Sequence, residues 1–167
     1  SQRAIVILDK QYTVVIDAGH GGEDAGAPGI NGETEKEIAL IIAQKVKAIN
    51  NNPNKNIVLT RASDEQLTVM DRTNMANDIN ANLFVSIHMN SAATSQPSGS
   101  LCYVPAKKNK YIQESTFLAK NILAATSNLF TSSKLITTKD RGIWVIESVN
   151  MPAVLLECGY ITNANDV

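Results

Sequence analysis

Short apolar runs alternate with longer amphipathic segments along this chain. Runs such as TVVID and AVLLEC are β-branched or continuously apolar, which indicates strands. Between the runs, apolar residues recur at helical spacing, which indicates helices. The pattern predicts strands at 13–17, 56–60, 83–88, 100–104, near 143–146 and at 153–158, and helices from 34 to 49, at 67–79 and at 110–130. A basic, threonine-rich loop is expected before the strand near 143–146.

This alternation predicts an α/β fold. Strands that are separated by helices form largely parallel sheets, and runs such as VVI, LFVSI and AVLL are typical of strands buried on both sides. We therefore expect a mostly parallel twisted sheet of about six strands with helices on both faces. No internal repeat or linker interrupts the pattern, so we interpret residues 1–167 as a single domain.

Composition excludes several function classes. The chain has a net charge of −1 and no basic stripe, which argues against a nucleic-acid binder, and no apolar run is long enough to span a membrane. The N-terminus lacks the features of a secretory signal, so the chain is either cytosolic or a mature or trimmed form. Cys102 and Cys158 form no CxxC motif; we read them as small buried side chains, and a single bridge between them stays open.

Candidate chemistry gathers at the ends of predicted strands. His20, His88 and Glu157 each lie at or just past the carboxyl end of a strand. In open parallel sheets these ends form the ligand-binding edge, so we expect the three side chains to converge. Burying the Glu157 carboxylate is costly without a cation or donors. Two explanations are open: a salt bridge to Arg72 or Arg141, or a general base beside a metal site.

A third metal ligand is expected where the first helix begins. Thr34 and Glu37 have the spacing of a capping box, which already employs Glu37. Glu35, at the first helical position, can reach a metal, but the spacing does not choose between Glu33 and Glu35. Two histidines and a carboxylate with an open position are a catalytic zinc set, which suits amide hydrolysis with a glutamate as proton carrier.

Six motifs together give a specific resemblance. Their order and spacing resemble those of the motifs in the zinc-dependent N-acetylmuramoyl-L-alanine amidase family of the bacterial cell wall. This family has a phosphorylase/hydrolase-like fold. The motifs are VVIDAGHGGEDAGAPG at 14–29, ETEKEIAL at 33–40, LTR at 59–61, LFVSIHMNS at 83–91, DRGI at 140–143 and NMPAVLLECGYITN at 150–163.

The resemblance implies a site and a reaction. It implies one zinc ion per chain held by His20, Glu35 and His88, with Glu157 as the catalytic glutamate. The implied reaction cleaves the amide between N-acetylmuramic acid and L-alanine in peptidoglycan, which implies a periplasmic or secreted protein of the cell envelope. Asp17 and Asn90 are expected to orient the ligands. A zinc peptidase and a catalytically inactive wall-binding module are the alternatives.

Several features set expectations about access and stability. The loop after His88 is short, so we expect no helix over the zinc and an open site, although a protein activator stays compatible with the resemblance. We expect a monomer, and a terminal helix truncated at Val167. Trp144 either packs in the core or stacks on substrate.

Overall fold

Six strands form one sheet in the computed structural model, which describes residues 11–130, 132–138 and 142–167. Helices connect most of the strands, as the alternating pattern predicts. In chain order, the elements are β1 (Tyr12–Ala18), α1 (Glu35–Ala48), β2 (Lys55–Leu59), α2 (Val69–Asp78), β3 (Leu83–Asn90), β4 (Ser100–Val104), α3 (Ile112–Ala125), β5 (Ser133–Thr137), α4 (Trp144–Glu147) and β6 (Ala153–Tyr160).

The sheet has the strand order β2-β1-β3-β6-β4-β5 and is mostly parallel, which confirms the predicted fold class. Only the β4–β6 pair is antiparallel among the described strands. The register aligns Ala18 with Ile87 and His88 with Glu157, so the carboxyl ends of β1, β3 and β6 meet at one edge. Since β4 runs the other way, its amino end lies there too.

Helices cover both faces of the sheet, and each face has its own apolar core. On one face, Ala39 and Ala43 of α1 and Ala119 of α3 pack against Ile87 and Leu156. On the other face, Ala76 of α2 and Val145 and Ile146 of α4 pack against Phe84 and Leu155. This two-sided burial explains why the central strands read as unbroken apolar runs.

The first helix begins as the capping-box spacing predicts. Thr34 is its N-cap, and the Thr34 backbone N–H donates a 2.8 Å hydrogen bond to Glu37 Oε2. A second capping box, formed by Thr68 and Asp71, starts α2. Each box fixes the residue at which a helix begins, and so fixes the direction in which its first side chains point.

Two predictions in the second half of the chain are wrong. The run near 143–146 is not a strand and instead overlaps the helical turn α4. The adjacent residues Val145 and Ile146 are both buried, which a helical turn allows and a strand with alternating faces does not. The basic, threonine-rich segment before it is not simply a loop, since β5 lies there. This strand is at the sheet edge and its first two residues are exposed, so it lacks the apolar signal of the central strands.

The bridge that the sequence left open between the two cysteines does not form. Cys102 and Cys158 are free thiols, and burial raises the pKa of each to about 12. Within the described residues, every helix is too short or too polar to cross a bilayer.

Candidate active site

Three side chains from separate elements converge at the carboxyl edge of the sheet. His20 follows β1, Glu35 is the first residue of α1, and His88 lies near the end of β3. Glu35 Oε1 is 3.0 Å from His20 Nε2 and 2.9 Å from His88 Nδ1. One potential ligand atom of each residue lies within 4.8 Å of the others, a separation that a single metal ion can bridge. Glu33, the other candidate from the sequence, instead accepts a hydrogen bond from the Asn31 backbone.

The turn after β1 depends on glycine for this convergence. A methyl group at Gly19 would overlap the imidazole ring of His88, so only glycine lets the turn approach β3 this closely. His20 itself has a φ of 57°, in the left-handed region that non-glycine residues seldom occupy. Its Nδ1 is hydrogen-bonded to Asp24 Oδ2 at 2.9 Å. Asp24 was not singled out by the sequence patterns, although its spacing of four residues from His20 within one glycine-rich turn is a usable signal.

Glu35 is held as an anion. Its side chain is only 7% exposed, and burial alone would raise its pKa. Hydrogen bonds from His20, His88 and the Ala27 backbone N–H outweigh burial and hold the pKa well below its usual range. The Met89 backbone N–H also donates to Oε1 at 3.1 Å. The carboxylate is therefore fixed and charged before any metal binds.

His20 is the proton-binding member of the cluster. Its hydrogen bond to Glu35 raises its pKa, burial opposes this effect, and the hydrogen bond to Asp24 adds to the rise, so that the pKa is about 8. The same contact lowers the pKa of Asp24. In the metal-free protein, His20 is thus a cation between two carboxylates at neutral pH.

Glu157 lies on β6 directly across from His88. Its Oε2 is buried and accepts no hydrogen bond from the described residues. Burial raises the pKa of this carboxyl to about 7; the nearby His88 opposes the rise and Glu35 adds to it. The proposed salt bridge to Arg72 is wrong, because the Arg72 guanidinium pairs with Asp17 at 2.7 Å. Arg141, the other candidate partner, lies outside the described residues.

Comparison with known proteins identifies the family. The family model of N-acetylmuramoyl-L-alanine amidases matches residues 14–167. The chain belongs to this family. It is 37% identical over 162 residues to the N-acetylmuramoyl-L-alanine amidase LytC of Bacillus subtilis, a match that covers 92% of this chain but 30% of LytC.

Solved structures agree with this assignment. The catalytic domain of CwlV, an N-acetylmuramoyl-L-alanine amidase from Bacillus (Paenibacillus) polymyxa var. colistinus, has a TM-score of 0.81 and 36% identity, with coverage of 92% of this chain and 83% of that one. The CwlD amidase from Clostridioides difficile, solved in complex with the GerS lipoprotein, has a TM-score of 0.77 and 28% identity, with coverage of 92% and 84%.

A buried network supports the edge of the sheet in this amidase. Asp17 accepts hydrogen bonds from Thr60 Oγ1, Arg72 and Ser86 Oγ at 2.6–2.7 Å. Arg72 also donates to the carbonyls of Ala18 and His20, and so fixes the turn that carries His20. Asp17 therefore supports the turn that carries His20 through Arg72.

Asn90 does not orient the ligands as expected. Its side-chain oxygen accepts a hydrogen bond from the Ser91 backbone, and its carbonyl accepts one from Ile161. No hydrogen bond joins it to the histidines or to Glu35 within the described part of the chain. Its role here is to join β3 to the segment after β6.

The cluster opens into a pocket of about 230 Å³ in this amidase. His20 and His88 lie in the pocket, and its walls are largely apolar, formed by Leu67, Val69, Ile143, Trp144, Val145 and Leu155. The Trp144 side chain is 66% exposed, so the expectation of core packing is wrong. The segment 91–99, between β3 and β4, contains no helix.

Proposed function

We propose that this amidase hydrolyses the amide bond between N-acetylmuramic acid and L-alanine in peptidoglycan. One zinc ion is held by His20, Glu35 and His88, and Glu157 is the general base. The observation that carries the proposal is the convergence of two imidazoles and one carboxylate beside a second, half-buried carboxylate. Two histidines and a glutamate with an open coordination position are typical of catalytic zinc.

The chemistry of the donors supports zinc over harder cations. Ca²⁺ and Mg²⁺ prefer oxygen ligands, whereas imidazole nitrogen suits zinc. The second ring nitrogen of His20 is held by Asp24, the arrangement that commonly orients a zinc-bound histidine. Glu35 is anionic through its contacts with both histidines, so it is ready to bind a cation.

Glu157 moves the proton in the proposed reaction. A zinc ion bound by these side chains would activate water and polarise the carbonyl oxygen of the amide. As the new C–O bond forms, Glu157 accepts a proton from the attacking water. It returns this proton to the alanine nitrogen as the C–N bond breaks, which leaves a muramic acid carboxylate and a free amine. Its pKa of about 7 suits a group that must both take and give a proton near neutral pH.

Two alternatives make different predictions. A zinc peptidase acting within the stem peptide would leave L-alanine attached to muramic acid. A catalytically inactive wall-binding module would bind peptidoglycan without turnover. The presence of His20, Glu35, His88 and Glu157 together argues against the second alternative, since a binding module has no need of all four.

The substrate implies a place and a set of partners. Peptidoglycan lies in the cell envelope, so we place this chain in the periplasm or outside the membrane. We propose one catalytic domain that acts as a monomer. A protein activator stays compatible with the fold, since the CwlD amidase forms a complex with the GerS lipoprotein, although segment 91–99 of this chain contains no helix.

Mass spectrometry of soluble products tests the reaction. Purified peptidoglycan is incubated with the protein, with added zinc or with a chelator. We expect peptides that begin at L-alanine, and we expect the chelator to abolish their release. Products that retain L-alanine on muramic acid would instead support the peptidase. Zinc and peptidoglycan binding without any release, even after an envelope extract is added, would support the wall-binding module.

A further inference from the structure

The only tryptophan of the chain stands exposed at the rim of the catalytic pocket. Trp144 is the first residue of α4, and 66% of its surface is accessible. It nevertheless lines the same pocket as His20 and His88. A large apolar surface left open to water beside a reactive site is typical of a ligand-binding position.

The helical turn that carries this indole is firmly anchored. The next two residues, Val145 and Ile146, are buried in the core. Glu147, at the end of the turn, accepts hydrogen bonds from Asn109 and Thr138. The backbone of the turn is therefore fixed by its core contacts while the indole stays outside the core, so little backbone ordering is needed when a ligand binds.

The pocket beside the indole is suited to an apolar surface rather than to an anion. Leu67 and Val69 also line the pocket, and Val69 is 42% exposed. Apart from the two histidines, Arg72 is the only cationic side chain among the described lining residues. Its guanidinium is already occupied by Asp17 and by the carbonyls of Ala18, His20 and Leu67. A carboxylate of the substrate would find no available lysine or arginine side chain among these lining residues.

We infer that Trp144 is a specificity residue that stacks against the pyranose ring of muramic acid. This inference rests on the proposed function. The scissile amide joins two chemically different parts. The sugar has an apolar C–H face and polar edges, which suit an aromatic platform in an open pocket. The stem peptide bears carboxylates, which this side of the site does not accommodate.

The other side of the site is better suited to the peptide. The strand register runs from Glu157 of β6 to Leu101 of β4 and on to Lys134 of β5. Side chains directly opposite one another lie on the same face of a sheet, so this row leads from the catalytic carboxylate to an exposed lysine. With strands about 4.8 Å apart, Lys134 is about two strand spacings from Glu157. The peptide is therefore inferred to leave the site towards Lys134.

Intrinsic fluorescence tests the contact separately from catalysis. Because Trp144 is the only tryptophan, emission at tryptophan-selective excitation reports on this side chain alone. We expect N-acetylmuramoyl-L-alanyl-D-glutamate to shift the emission of the zinc-loaded Glu157→Gln variant to shorter wavelength. The dipeptide L-alanyl-D-glutamate should cause no shift. A shift with the dipeptide, or no shift with the sugar-bearing ligand at saturating concentration, would overturn the inference.

Kinetics provide the second test. The substrates are N-acetylmuramoyl-L-alanyl-D-glutamate and the sugarless lactoyl-L-alanyl-D-glutamate. Trp144→Ala should lower kcat/KM about three- to tenfold for the first substrate and leave the second unchanged, with partial retention in Trp144→Phe. Phe117→Ala is the matched control, because Phe117 is an equally exposed aromatic residue on α3, outside the catalytic pocket.

The two tests separate this inference from the proposed reaction. If Trp144→Ala slowed both substrates equally, Trp144 would have no role in sugar recognition even though the reaction itself held. If the wild-type protein cleaved neither substrate while the sugar-bearing ligand still shifted the fluorescence, the proposed reaction would fail and the sugar contact would stand.

Discussion

Two acidic side chains, Glu35 and Glu157, lie at the same edge of the sheet and differ in what surrounds them. Glu35 contacts both histidines and two backbone N–H groups, which stabilise its charge. Glu157 has one buried oxygen with no hydrogen-bond partner among the described residues, and burial raises its pKa. The same residue type thus becomes a fixed anion in one position and a proton carrier in the other.

Substitution of the two groups should separate metal binding from turnover. We expect Glu157→Gln to keep stoichiometric zinc and to lose turnover by about 100-fold or more, because only the proton carrier is removed. His88→Ala should lose both, since it removes a ligand. Zinc content by atomic spectroscopy and peptide release from peptidoglycan measure the two effects. Near-wild-type turnover in Glu157→Gln would refute the assigned role.

The pKa of His20 predicts how zinc binding depends on pH. In the metal-free protein this pKa is raised to about 8, so His20 binds a proton below that pH, and zinc must displace it. The apparent zinc affinity should therefore be constant above about pH 8 and fall about tenfold for each pH unit below it. Competition with a chromophoric chelator from pH 6 to 9 gives the profile.

A variant at the neighbouring carboxylate provides the control for this profile. Asp24→Asn removes one of the contacts that raise the pKa of His20, so the onset of the decline should move to lower pH. An affinity independent of pH between 6 and 8 would contradict the prediction.

At the scale of elements, a buried ion pair fastens α2 to β1. Arg72 and Asp17 are 6% and 1% exposed, and Arg72 also donates to the carbonyls of Ala18 and His20. Arg72→Met leaves Asp17 buried without its cation, so the free energy of unfolding should fall by about 3–5 kcal/mol. Denaturant titration of the zinc-free protein measures this loss.

The surface pair Lys36–Asp64 is the comparison for the buried one. Their charged atoms are as close, at 2.6 Å, but Asp64 is 54% exposed. Lys36→Met should therefore cost about 1 kcal/mol or less. Equal losses in the two variants would mean that burial does not determine the strength of the Asp17 contact.

Sequence patterns predict elements well where burial is two-sided and poorly where it is not. The central strands and the capped start of α1 were correctly predicted from apolar runs and from Thr34. The edge strand β5 and the short helix α4 were missed, because an exposed strand and a single helical turn carry little periodicity. Asp24 was missed because its contact with His20 depends on the glycine-rich backbone turn between them, although the spacing of four residues offered a signal.

At the scale of the whole molecule, access to the site is expected to be open. His20 and His88 retain 23% and 19% exposure of their side chains, and segment 91–99 has no helix to cover them. The purified, zinc-loaded protein should therefore release peptides from peptidoglycan without a partner. A product time course with no other protein present tests this. Zinc-loaded protein that releases peptides only after an envelope extract is added would show that access is controlled from outside the chain.

The three proposed zinc ligands come from positions 20, 35 and 88, which lie in the turn after β1, at the start of α1 and in β3. A bound ion would therefore act as a cross-link that closes two long loops of the unfolded chain. Metal binding and folding would then be coupled equilibria, since the unfolded chain has no preformed site. Zinc supply would set how well the protein resists proteolysis, as well as how fast it works.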